Sequence, residues 1–122
     1  MKTIKIADFE TSNKKNLFLI AGPCVIESES HSLMIAEKIA TVCQKLKINF
    51  VYKSSFDKAN RSSINSNRGI EINQAEKIFN KIKSNFNCPI LTDVHNENQC
   101  DFLSKSESVD ILQIPAFLCR QT

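Results

Sequence analysis

Residues 16–22 read Asn-Leu-Phe-Leu-Ile-Ala-Gly, and Pro23 follows them. A short apolar run that ends in Gly-Pro predicts a buried β-strand stopped by a turn. Beyond it, apolar residues recur every three or four positions from Leu33 to Leu46, and Ser28 or Ser30 is available as an N-cap, so the spacing predicts an amphipathic helix. The main body of the chain therefore begins with a strand followed by a helix.

The same unit recurs along the chain. Three further β-rich runs predict strands: residues 49–55 (NFVYKSS), 89–94 (PILTDV) and 109–114 (VDILQI). A second helix is expected after a polar loop that extends to about Ile72, and its apolar face carries Ala75, Ile78, Phe79 and Ile82. Asn73 and Glu76 have the spacing of a capping box for it, as Asn96 and Gln99 do for a third, shorter helix.

Three strand–helix units and a fourth strand predict an α/β fold with parallel strands, because each connection is long enough for a helix. A doubly wound sheet usually has a glycine-rich first loop, whereas this chain has only two glycines. Polar side chains instead lie at or just after the strand ends, as active-site residues of a (β/α)8 barrel do: Cys24, Lys53, Ser54, Ser55, Asp93, His95 and Gln113.

A closed barrel needs eight strands and roughly 250 residues. We therefore expect residues 17–122 to form the first half of a (β/α)8 TIM barrel, with four strands and three helices, truncated after the fourth strand. Residues 1–16 are expected to be an N-terminal extension, in which the alternating residues 3–6 indicate a short capping strand.

Charge and composition narrow the classes of function. The formal net charge of +3 is concentrated in residues 53–68, which hold four cations and one anion. That local excess indicates an anion-binding site, whereas a nucleic-acid surface usually has longer basic runs with aromatic residues between them.

No apolar run approaches the ~20 residues of a membrane span, and no apolar segment follows the N-terminal lysines. We therefore expect a soluble, cytoplasmic protein without membrane or nucleic-acid partners.

The five cysteines are an odd number and form no Cys-x-x-Cys pair, which favours free thiols over a disulfide framework. Cys43 and Cys100 occupy apolar positions of helical patterns and are expected in the core. Cys24 follows the first strand and leaves two interpretations open: a buried structural thiol, or a thiolate ligand for a metal such as Zn, Fe or Mn.

The segment richest in cationic and hydrogen-bonding side chains is residues 53–63, KSSFDKANRSS. Lysine supplies a compact charge, arginine a bidentate fork, and serine and asparagine neutral hydrogen bonds, a mixture suited to phosphate and carboxylate groups. Composition alone explains the segment equally well as a solvated, disordered basic loop.

Four segments favour the first interpretation: residues 20–29 (IAGPCVIESE), 53–63, 92–99 (TDVHNENQ) and 112–122 (LQIPAFLCRQT). In order and spacing they resemble the 3-deoxy-D-manno-octulosonate 8-phosphate synthases, or 2-dehydro-3-deoxyphosphooctonate aldolases, over residues 17–122. The related heptulosonate 7-phosphate synthases typically carry Lys-Pro-Arg-Thr-Ser where residues 58–62 read Lys-Ala-Asn-Arg-Ser. That difference favours the octulosonate enzymes and leaves a heptulosonate-type enzyme as the alternative.

The resemblance implies a (β/α)8 barrel and a transferase of lipopolysaccharide (Kdo) biosynthesis. In its reaction C3 of phosphoenolpyruvate attacks the aldehyde of arabinose 5-phosphate, water attacks C2, and inorganic phosphate leaves. The resemblance also implies a homo-oligomer, a tetramer in the family, and no organic cofactor. Members with cysteine at the position of Cys24 bind a divalent metal, whose other ligands are a His, a Glu and an Asp on later strands. That pattern argues against a metal site formed by Cys24, Asp93 and His95.

Roles for individual residues follow from the same resemblance. Phosphoenolpyruvate would be held by Lys53, Ser55, Gln113, Pro115 and Ala116. Lys58 would lie between the two substrates. Sugar hydroxyls would contact Asn60 and Asp93, and the sugar phosphate would bind Arg61 and Ser62. Catalysis is thus expected to depend on Lys58, Asp93 and Asn60.

One stretch departs from the family pattern: residues 70–75 read IEINQA where a glycine-containing stretch is common, which leaves loop closure in question.

Because the later strands would be missing, we expect these 122 residues to be inactive alone. A non-catalytic fragment or interaction module, and a phosphate-ester-binding domain without a reaction, are the alternatives.

Overall fold

A computed structural model describes residues 2–57 and 70–120. The strands are β1 (Ile4–Ile6), β2 (Phe9–Thr11), β3 (Phe18–Ala21), β4 (Asn49–Lys53), β5 (Ile90–Asp93) and β6 (Ile111–Gln113). The helices are α1 (Glu29–Leu46), α2 (Ile72–Phe86) and α3 (Glu97–Ser104), and a 3₁₀ helix follows at Ala116–Cys119. None of the described helices combines the length and the apolar character that a membrane crossing requires.

Four strands form one parallel sheet in the order β3-β4-β5-β6, which is their order along the chain. The expected α/β class, with a parallel sheet and three helices in the described part, is confirmed. The four strands are each shorter than the apolar runs that predicted them: β4 is shortened only at its carboxyl end, and the other three are shortened at both ends. The antiparallel hairpin β1-β2 stands apart from this sheet; it contains the strand expected near residues 3–6 and a second strand that the sequence did not predict.

Helix α1 begins where Ser28 caps it, since the Ser28 hydroxyl accepts a hydrogen bond from the His31 backbone N–H at 3.1 Å. Its buried positions are Ser32, Ala36 and Cys43. The predicted apolar face was broader: Val42 and Leu46 remain 54% and 62% exposed. Within the described chain, no element packs over that side of the helix.

Helix α2 begins earlier than its predicted capping box. Its N-cap is Glu71 and no side chain caps it, so the prediction of Asn73 as the cap was wrong. The backbone N–H of Ile70 donates to the Phe56 carbonyl at 2.8 Å, and this anchor sets where the helix starts. The predicted apolar face is confirmed: Ala75, Ile78, Phe79 and Ile82 are all buried.

Helix α3 has the predicted cap, with the Asn96 side chain accepting from the Gln99 N–H at 2.9 Å. The expectation that Cys100 lies in the core was wrong, because Cys100 is exposed. Leu103 is the single buried residue of this eight-residue helix. A short helix that touches the core near one end leaves its other apolar positions in solvent.

The two faces of the sheet bury different residues, as the alternation of side chains along a strand requires. One face packs against α1 and α2: it contributes Phe50, Tyr52 and Ile90 to the core, and α2 contributes Phe79 and Ile82. The other face buries Val51 and Leu91 against Ile6 of the hairpin. An ion pair joins the layers: the Lys83 Nζ lies 2.8 Å from the Asp110 carboxylate, which also accepts from the Ile90 N–H at 2.8 Å.

Candidate functional site

The candidate site lies at the carboxyl ends of the parallel strands. Strand β4 ends at Lys53 and continues into Ser54 and Ser55, β5 ends at Asp93, and β6 ends at Gln113. Asp93 and Gln113 are register partners. Parallel pairing therefore brings these polar ends to one edge of the sheet.

Gly22 allows the loop after β3 to approach the end of β4. A Cβ atom on Gly22 would lie 1.8 Å from the Lys53 carbonyl oxygen, far inside any tolerated contact. The loop then continues alongside Ser55, whose N–H donates to the Cys24 carbonyl at 3.3 Å and whose carbonyl accepts from the Ile26 N–H at 2.9 Å. The missing side chain of Gly22 thus permits the contact that positions the backbone of Cys24 and Ser55.

A cavity of about 280 Å³ opens at this edge, here called the carboxyl-end cavity. Its lining residues are Lys53, Ser55, Asp93, His95, Gln113, Pro115, Ala116 and Phe117. Six of these eight residues were predicted from the sequence as substrate-binding or catalytic. Their gathering in one cavity is the central geometric finding.

Asp93 is the most enclosed charge of the cavity. Its side chain is 7% exposed, and the Ser55 hydroxyl donates a short hydrogen bond to Oδ1. The other carboxylate oxygen, Oδ2, lies 3.4 Å from His95 Nε2. Both oxygens of Asp93 therefore face a neighbouring polar group, which restrains the orientation of the carboxylate.

The wall opposite Asp93 comes from the segment after β6. The Gln113 carbonyl accepts from the Val94 N–H at 3.0 Å, which ties this segment to the loop after β5. Pro115 is buried and begins the 3₁₀ turn, in which the Leu118 N–H donates to the Pro115 carbonyl at 3.0 Å. Gln113 and Ala116 are exposed, so they form the open side of the cavity.

Four predicted site residues, Lys58, Asn60, Arg61 and Ser62, lie outside the described residues. Cys24 is exposed and its side chain does not line the carboxyl-end cavity. Within residues 2–57 and 70–120, no three His, Cys, Asp or Glu side chains form a group that could hold a metal ion. The described residues therefore do not make a metal site by themselves, since a stable one needs three or four ligands.

Two lining residues were not among the predicted site residues. The sequence placed His95 with Asp93 at the end of the third predicted strand, but favoured a supporting or packing role for it over direct substrate contact. Phe117 lies in the 3₁₀ turn, 6.1 Å from the His95 ring between centroids. Such a short turn has no hydrophobic periodicity that could have identified Phe117 from sequence.

Comparison with known proteins identifies the family of this chain. Residues 3–122 match the family model described as the DAHP synthetase I family. Proteins named 2-dehydro-3-deoxyphosphooctonate aldolase from Rickettsia typhi and Rickettsia prowazekii are 56% and 54% identical to this chain over 121 residues. The aligned region is 99% of this chain and 43% of each relative, so the chain spans less than half the length of these proteins. From the extent of the family match, the chain belongs to the DAHP synthetase I family.

Proposed function

We propose that this chain supplies the phosphoenolpyruvate- and arabinose 5-phosphate-binding part of a 3-deoxy-D-manno-octulosonate 8-phosphate synthase, a transferase. The observation that carries the proposal is the carboxyl-end cavity, which joins six of the residues that the sequence resemblance had assigned to the site. The names of the Rickettsia relatives support the octulosonate enzyme over the heptulosonate alternative.

Within the cavity, cation and amide groups suit an anionic substrate. Lys53 is half-buried, so its charge acts in a setting less screened than open water. Gln113 adds an amide that can donate neutral hydrogen bonds, and Pro115 and Ala116 shape the wall. We assign phosphoenolpyruvate to this group of residues.

The sugar phosphate is assigned to the basic segment that follows Ser55. The Ile70 N–H donates to the Phe56 carbonyl at 2.8 Å, so described residues on the two sides of this segment lie together, and Phe56 directly follows Ser55 of the cavity. Arg61 and Ser62 would bind the phosphate, Asn60 and Asp93 the sugar hydroxyls, and Lys58 would lie between the substrates.

In the proposed reaction C3 of phosphoenolpyruvate forms a bond to the aldehyde carbon, water adds at C2, and the C–O bond to phosphate breaks. The chain's residues would contribute by holding two anions in line and by fixing a hydroxyl or water against the Asp93 carboxylate. Cys24 is proposed as one ligand of a divalent metal (Zn, Fe or Mn) whose other ligands would come from outside this chain.

A complete (β/α)8 barrel is proposed for the active protein. Strands β3 and β6 each pair on one side only in the four-stranded sheet, and the relatives are more than twice as long as this chain. We therefore propose that the chain is inactive alone, that the assembled enzyme is a cytoplasmic homo-oligomer, a tetramer as in the family, and that it needs no organic cofactor.

The test measures inorganic phosphate released from phosphoenolpyruvate plus arabinose 5-phosphate. The chain is assayed alone and after mixing with the remaining part of the Rickettsia typhi relative. We expect release only from the mixture and only with both substrates present. Release with a four-carbon aldose phosphate instead would favour the heptulosonate alternative. A stable mixture that leaves phosphoenolpyruvate intact would favour a non-catalytic interaction module.

A further inference from the structure

His95 is one of the two lining residues of the carboxyl-end cavity to which the proposed function assigns no role; Phe117 is the other. Its side chain is 8% exposed, and Nε2 lies 3.4 Å from Asp93 Oδ2. One face of its ring is close to Phe117, with the centroids 6.1 Å apart. A histidine that only filled space would not need a ring nitrogen directed at a buried carboxylate.

The backbone of His95 is held in place as well as its ring. The Gln99 side-chain Oε1 accepts a hydrogen bond from the His95 N–H at 2.8 Å, while the Gln99 N–H donates to the Asn96 side chain at 2.9 Å. This reciprocal cap fixes the start of α3 and, with it, the position from which the imidazole projects. The ring thus approaches Asp93 from a rigid support.

The surroundings also select the tautomer of the neutral ring. A proton on Nε2 faces the Asp93 carboxylate, whereas a proton on Nδ1 would turn the Nε2 lone pair toward that negative charge. Nδ1 is buried and has no hydrogen-bond partner among the described residues. A buried N–H without an acceptor is more costly than a buried lone pair without a donor, so both contacts favour the Nε2–H form.

We propose that His95 is a positioning residue for Asp93: its Nε2–H restrains Oδ2 while the Ser55 hydroxyl restrains Oδ1. Each oxygen keeps a further lone pair, through which the restrained carboxylate can accept a hydrogen bond from a substrate hydroxyl or water. The role of Asp93 toward substrate rests on the proposed function, but the restraint itself is a property of this chain and can be measured without substrate.

The first test is proton NMR of the ¹⁵N-labelled chain at about pH 8.5, where an ordinary histidine is neutral. We expect a low-field, slowly exchanging signal from the His95 Nε2–H, and its loss in Asp93→Asn. His31 is the internal control, because its Nε2 lies 3.8 Å from Glu27 and its side chain is 31% exposed, so its ring N–H should exchange too fast to observe. A His95 proton found on Nδ1 in the parent chain, which requires no variant to fold, would overturn the proposal.

The second test uses the enzyme assembled with the remaining part of the Rickettsia typhi relative. Glutamine can place an N–H near the position of Nε2, whereas asparagine reaches only the position of Nδ1. We expect His95→Asn to lower kcat roughly tenfold or more with little change in KM for phosphoenolpyruvate, and His95→Gln to recover most of that loss. Equal kcat values for the two variants would show that His95 only packs in the site and does not position Asp93. An intact NMR signal with no turnover in any assembly would instead count against the proposed function alone.

Discussion

Two cavities lie at opposite ends of the same parallel sheet. The carboxyl-end cavity, of about 280 Å³, contains Lys53, Asp93 and His95. The cavity at the other end, here called the amino-end cavity, is larger at about 510 Å³ and is bordered by Phe9, Phe50, Phe86, Cys43 and Cys88. Among its described lining residues there is no lysine, arginine or histidine, and its acids Asp8 and Glu37 are exposed.

This comparison shows that the larger of the two cavities is not the one whose side chains suit an anionic substrate. A phosphorylated substrate needs a fixed cation, which only the smaller of these two cavities supplies. The amino-end cavity is bordered by residues whose burial favours neutral forms: burial raises the pKa of the Cys88 thiol to about 11 and also raises the pKa of Cys43. This difference supports the proposal that the ligands bind at the carboxyl end.

The largest effect is expected from Gly22→Ala, which places a methyl group within 1.8 Å of the Lys53 carbonyl. Backbone atoms cannot rotate away, so the ends of β3 and β4 must separate, and we expect a loss of roughly 3 kcal/mol or more in the free energy of unfolding. Urea denaturation followed by circular dichroism measures it. Ala7→Gly, at a residue with φ of 51°, is the control and should be neutral or stabilising. An unchanged midpoint for Gly22→Ala would mean that the close approach does not exist in solution.

The next largest effect concerns pH and the amino-end cavity. Below pH 9 the Cys88 thiol is protonated in both folded and unfolded chains; between about 9 and about 11 the unfolded thiol ionises while the folded one does not. Stability should therefore fall as pH rises through this window, by about 2–3 kcal/mol from Cys88. Cys88→Ala should flatten the parent's curve of unfolding free energy against pH, and parallel curves would contradict the buried-thiol assignment.

A smaller effect is expected from removing one cation at the carboxyl end. In the assembled enzyme, Lys53→Ala should weaken phosphoenolpyruvate more than arabinose 5-phosphate, and Arg61→Ala should do the reverse, each by about 1.5 kcal/mol or on the order of tenfold. Calorimetric titration of each ligand into each variant measures whether the two variants lose affinity for different ligands. Phe86→Ala, at the amino-end cavity, is the matched control and should lower stability without changing either affinity. If each variant lowered the affinity for both ligands equally, the assignment of Lys53 to phosphoenolpyruvate and Arg61 to arabinose 5-phosphate would be wrong.

The smallest effect is expected from Ser28, a polar residue near the carboxyl end that caps a helix and lies outside the carboxyl-end cavity. Ser28→Ala removes the cap of α1 and should lower the free energy of unfolding by about 1 kcal/mol without affecting ligand binding. Ser30, whose hydroxyl lies 3.3 Å from that of Ser28, provides the control, and Ser30→Ala should have little effect. Similar losses from both variants would show that the two hydroxyls share the capping role.

Sequence periodicity predicted the elements well where one face of an element meets the core. Ala75, Ile78, Phe79 and Ile82 were predicted on one face of α2 and are buried. It failed at helix positions whose burial depends on a distant neighbour, such as Cys100 and Leu46, which are exposed. The start of α2 was also misplaced, because a hydrogen bond between Ile70 and Phe56, not a local capping pattern, sets it.

By itself the sequence determined the order of strands and helices, the cap at Asn96, the pair Ser28 and Ser30 as candidate caps of α1, and the polar residues at strand ends. These features depend on neighbours within a few positions. Only the tertiary structure decided that Ser55 and Asp93, 38 residues apart, share a hydrogen bond. It likewise decided that Gly22 meets the Lys53 carbonyl and that the imidazole of His95 faces Asp93. Such contacts depend on how parallel strands register and how loops cross their ends, which local periodicity does not specify.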